Sequence, residues 1–147
     1  MSATGLEVFD KTVQTTNSWL HEIEAEIGPD RHVAWHTLGA VLRSLRDRLP
    51  VEQVAHLGAQ LPILVRGLYY DQWRPAQTPV KIRHDEEFLD AIADKLDGTR
   101  PVDPEDAAKA VFHTLSRHIS GGEIRKVRDT LPKDIRSLWS ESGAAVG

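Results

Sequence analysis

His32 and His36 stand four residues apart with Asp30 just ahead of them, a spacing that sets two imidazoles on one helix face as a metal site would. A zinc centre needs a third ligand, and the chain has no His-Glu-x-x-His pair and no cysteine to supply one. These histidines read as a solvated helix face. Residues 31–70 return about seventy positions later, which aligns His113 with Arg43, His118 with Arg48 and His36 with Asp106. Positions that exchange histidine for a charged residue read most simply as exposed. No serine sits in a Gly-x-Ser-x-Gly turn, and Ser120-Gly121-Gly122 is too short for a phosphate loop. Glu22, Glu24 and Glu26 form a charged helix end, and Asp85-Glu86-Glu87 an acidic helix start that suits the helix dipole. With no nucleophile, base or cofactor constellation, the chain reads as a non-enzyme that needs neither cofactor nor metal.

Binding chemistry is better represented. Arg43, Arg46 and Arg48 lie on one stretch, and Arg117, Arg125, Lys126, Arg128, Lys133 and Arg136 on another. A nucleic-acid reader would join such residues into one face. The net charge of −4 and the interspersed acids stand against it. Charge alternates along the chain: residues 1–30 carry six acids and one base, 31–84 three acids and eight bases, 85–106 nine acids and two bases, 107–147 four acids and seven bases. Such alternation fits acidic segments laid against basic ones. The strongest candidate binding site is the aromatic loop of Tyr69, Tyr70, Trp73 and Arg74, residue types enriched at protein hot spots. The competing reading is that Trp73 folds back to plug the space between the two halves, burying its large apolar surface.

The elements that must position these residues are helical. Leu6, Phe9, Val13, Leu20, Ile23 and Ile27 recur at helical spacing until Gly28-Pro29. Asp30 can cap a second helix with Leu38, Val41, Leu42, Leu45 and Leu49 inward and Arg43, Arg46 and Asp47 facing water. Pro50 and Pro62 start two shorter helices. The register then repeats: Val54, Leu57, Leu61 and Pro62 return as Ile124, Val127, Leu131 and Pro132, and Ser120 with Glu123 matches a capping box. A period of this size marks a repeated structural unit. The expected fold is all-α, a bundle of two tandem, pseudo-symmetric units of three to four helices within one domain over 1–140. Unit one covers about 6–70, the linker 71–84 and unit two about 85–139, with 141–147 a frayed tail. Trp19, Trp35 and Trp139 should be core or core edge.

Several of these residues resemble a known family. Ala34-Trp35, Val41 through Pro50, Ala59-Gln60-Leu61-Pro62 and Tyr69-Tyr70-Asp71-Gln72-Trp73, then Ser120 through Ile124, Leu131-Pro132 and Leu138-Trp139, are similar to bacterial domain-of-unknown-function family 2267. The resemblance implies a small bacterial all-helical domain and carries over no catalytic residue. The family pattern leads one to expect Asp-Gly-Trp in the aromatic loop, where this chain has Asp71-Gln72-Trp73, a difference that bears on the turn.

No apolar run approaches the roughly 18 residues of a membrane span. The N-terminus lacks the basic and apolar regions of a secretory signal, so the expected address is cytoplasmic. The expected function is a non-catalytic protein-interaction or regulatory module docking at the aromatic loop or between the units. The alternatives are a nucleic-acid-associated regulator using the basic faces and a small-ligand-binding domain. Duplication within one chain leaves a homodimer open.

Overall fold

Caps and prolines set the helix boundaries close to where the sequence places them. The computed structural model describes residues 3–81, 84–98 and 101–139. Among these the chain forms α1 (Glu7–Ile27), α2 (Arg31–Arg46), α3 (Val51–Ala59), α4 (Ile63–Tyr70), α5 (Asp85–Lys95), α6 (Pro104–His118), α7 (Gly121–Thr130) and α8 (Lys133–Arg136). One 3-10 turn, Pro75–Gln77, lies between α4 and α5, and no strand occurs among the described residues. The tail after Trp139 lies outside them.

Gly28, at φ 118, ends α1, and the Asp30 carboxylate accepts from the Val33 N–H at 3.1 Å to open α2. Pro50, Pro62 and Pro132 each occupy the N-cap of a short helix, where proline removes no helical hydrogen bond. The capping box at Ser120 forms only in half. The Ser120 hydroxyl accepts from the Glu123 N–H at 3.3 Å, but the Ser120 N–H goes to Gln60 Oε1 at 3.1 Å. Glu123, almost buried, bonds Gln53 on α3 instead. A local motif has been given up for a tie between α3 and α7, residues seventy positions apart.

α2 lies at the centre, touching α1, α4, α5 and α6, while α1 also packs on α6 and α5 on α6. One cluster of buried residues runs through both halves. Its aromatic spine is Phe88, Phe112 and Trp139, stacked with ring centroids 6.1 and 4.4 Å apart.

The acidic end of α1 meets the basic end of α6. Glu22 pairs with Arg117 at 3.1 Å and with His118, and Glu26 pairs with His113 Nδ1 at 2.9 Å. The His118 ring also stacks on Trp19 at 5.0 Å. His113 is half-buried in this contact, which corrects its reading as a solvated position, while His118 stays exposed beside Glu22. The alignment of these positions with Arg43 and Arg48 carries no information about what faces them.

Candidate functional site

The aromatic loop is built by the carbonyl ends of α4. The last carbonyls of a helix have no partner within it, and two arginines from α2 supply the donors. Arg46 Nη1 donates to the carbonyls of Tyr69 and Asp71, both at 2.8 Å, and its Nε bonds Asp47. Arg43 Nε donates to the Leu68 carbonyl at 3.1 Å, and its Nη2 pairs with Asp71 at 2.9 Å. Arg46 is only 3% exposed. This overturns the expectation that Arg43 and Arg46 face water. A guanidinium can be buried here because the carbonyl ends of α4 and a carboxylate satisfy it together.

Tyr69 is fully buried, its hydroxyl donating to the Val54 carbonyl at 2.9 Å. Burial pushes its phenol above the ordinary tyrosine range, with neighbouring Tyr70 adding to the effect. It is a core residue and not a docking residue, a correction to its place in the candidate site. Tyr70 is half-buried and lies over Gly58, where an added Cβ would stand 2.4 Å from the Tyr70 hydroxyl. Trp73 packs at the core edge beside Tyr70, ring centroids 5.7 Å apart, and its indole N–H reaches Thr78 Oγ1 at 3.3 Å. Of the four residues only Arg74 is exposed. The Tyr70–Trp73 turn carries Asp71 at φ −57, ψ 132 and Gln72 at φ 65, a type II geometry that prefers glycine at the second central position. Gln72 occupies the position where the resemblance leads one to expect glycine.

His32 and His36 are both exposed. Among the described residues, no three histidines and carboxylates gather at metal-ligating distance. No helix among them is long and apolar enough to cross a membrane.

The open apolar surface lies elsewhere. From the N-cap Leu6 into α1 the stripe Leu6, Phe9, Val13, Leu20, Ile23 is interrupted only at Thr16 and Asn17, but the bundle covers only its C-terminal part. Ile23 and Leu20 are buried, whereas Val13 is 41% and Phe9 52% exposed. The N-terminal turns of α1 overhang the bundle. Where they leave it, α1, α2 and α4 enclose a groove of about 630 Å³, floored by Val13, Leu20, Leu64 and Trp35. Thr16 lines it from within, and its polar rim holds Asn17, Arg31 and His32, with Arg31 donating to the Asn17 side chain. Ile63 and Leu64 extend the apolar surface on α4. Uncovered apolar area of this kind, rimmed by polar groups, is where proteins dock.

Leu6, Phe9 and Val13 share the helical spacing of the buried Leu20 and Ile23, so spacing alone does not mark them as exposed. One signal pointed the other way. α1 has 21 residues and α5 only 11, so the first turns of α1 have no counterpart in the second half to pack like.

The model of the family described as uncharacterized conserved protein (DUF2267) matches residues 16–138. The chain belongs to this family. The matched stretch takes in the groove walls at Asn17, Leu20, Arg31, His32, Trp35 and Leu64, together with the arginine-capped corner. Leu6, Phe9 and Val13 precede it. No curated protein matches the chain.

Proposed function

We propose that the protein is a non-catalytic, cytoplasmic protein-interaction module that docks through the groove of α1, α2 and α4 and the adjoining overhang. The observation that carries this reading is the run of Leu6, Phe9 and Val13 into an apolar groove edged by Arg31 and His32. Exposed side chains of this size gain from being covered, at about 25 cal/mol per Å² of apolar area. The aromatic loop supports it less, since Tyr69, Tyr70 and Trp73 are turned to their own bundle.

Affinity capture with the wild type and with Leu64→Asp tests it. A protein retained by the wild type and lost from a variant of unchanged circular dichroism is the expected result. Equal capture by both sinks the assignment of the surface. The volume of the groove also falls in the range of small-molecule sites, roughly 300–1,000 Å³, so an amphipathic anion is the second reading. A thermal-shift rise with such a ligand, absent in Arg31→Ala, would favour it. The nucleic-acid reading loses Arg46 to burial and keeps Arg125, Lys126 and Lys133, which are exposed.

A further inference from the structure

We infer that the groove's occupant is a second copy of this chain, with its α1 antiparallel to the first about a two-fold axis beside Val13. This rests on the docking reading above and names the partner for the same surface.

A two-fold beside Val13 sets residues equally far on either side of it opposite one another: Val13 meets its own copy, Leu6 faces Leu20, and Phe9 comes to the edge of the groove at Asn17. The bare end of each helix then lies over the groove of the other, where Val13, Leu20, Leu64 and Trp35 offer an apolar floor. Both bare ends are used and none is left over, so the assembly closes at two copies.

Charge selects the same arrangement. The overhang carries Glu7 and Asp10, and the groove rim carries Arg31 and His32. Asp10 and Asn17 are seven residues, two helical turns, apart, so they share a flank of α1. Arg31 bonds Asn17 and marks that flank. A two-fold perpendicular to an antiparallel helix pair keeps each flank on its own side. The acidic overhang of one copy therefore runs beside the basic rim of the other. A parallel pairing would set Glu7 and Asp10 against their own copies.

The chain has no cysteine, so Val13→Cys places a lone thiol at the two-fold. Mild oxidation of Val13→Cys is expected to give a covalent dimer, while Lys11→Cys, on the opposite side of α1, gives none. Light scattering on the wild type is expected to rise with concentration from 16.4 kDa toward twice that mass. Val13→Asp, at an exposed position, should raise the dissociation constant at least ~10-fold, the effect of one lost anchor. Arg31→Glu should weaken the dimer, and Arg31→Glu with Asp10→Arg should restore it. A dimer indifferent to Val13→Asp, or Val13→Cys crosslinking no better than Lys11→Cys, overturns the inference. A chain that stays monomeric yet captures a distinct partner through Leu64 also overturns it and leaves the docking reading standing. Monomer with no Leu64-dependent capture removes both.

Discussion

The aromatic loop and the overhang of α1 both bring large apolar side chains to the edge of the bundle, and the bundle covers one and leaves the other bare. At the loop, Arg43 and Arg46 cap the carbonyl ends of α4 and draw Tyr69, Tyr70 and the Trp73 turn against α3 and the core. At the overhang no described residue reaches Leu6, Phe9 and Val13 far enough to bury them. Hot-spot residue types therefore marked a structural joint, and core-like spacing marked an open surface. Composition tells what a side chain can do, and cover decides whether it is free to do it.

Substitutions can break or sharpen that contrast. The largest effect is expected at Arg46→Met, which keeps the apolar stem and leaves the Tyr69 and Asp71 carbonyls without their donor. Urea unfolding should show a loss of about 2–4 kcal/mol. Gly58→Ala forces the Tyr70 ring off α3 and should cost about 1–3 kcal/mol. In a Tyr70→Ala background the same change should cost much less, and an additive double-mutant cycle would break the account of the joint.

Tyr69→Phe removes a buried hydrogen bond and should cost about 1 kcal/mol at neutral pH. It should also change the alkaline limb. The folded phenol resists ionisation while the unfolded one titrates near pH 10, so its contribution is full below that value and is lost as pH rises above it. Wild-type stability should fall there by up to about 1.4 kcal/mol per pH unit more than that of Tyr69→Phe.

Gln72→Gly relieves a left-handed residue and adds freedom to the unfolded chain, for a net gain of a few tenths of a kcal/mol in thermal unfolding. Smallest of all, Val13→Asp should leave the stability of the monomer within about 0.5 kcal/mol. A cost there comparable to Arg46→Met would show that the overhang is core after all and erase the contrast.

Much of the fold was legible because it is local. Asp30 and Asp103 cap the helices they precede, Pro50, Pro62 and Pro132 start the short ones, and apolar spacing names most of the core. The alternation of charge foretold acidic and basic segments in contact, and Glu22 and Glu26 against Arg117, His113 and His118 is one such contact. The site was not legible. Arg46 reads as an exposed helix residue until α4 ends beside it, and the half-formed capping box at Ser120 depends on Gln53 of α3 and Gln60 at its C-cap.

The sequence by itself determined the all-helical class, the helix boundaries and the residues able to form a core, since periodicity, caps and prolines act within a few residues of the chain. Only the tertiary structure decided which stretch of that apolar periodicity is covered and which arginines are buried. Both depend on where helix ends distant in the chain meet: the carbonyls of α4 at Arg46, and the edge of the bundle at Val13.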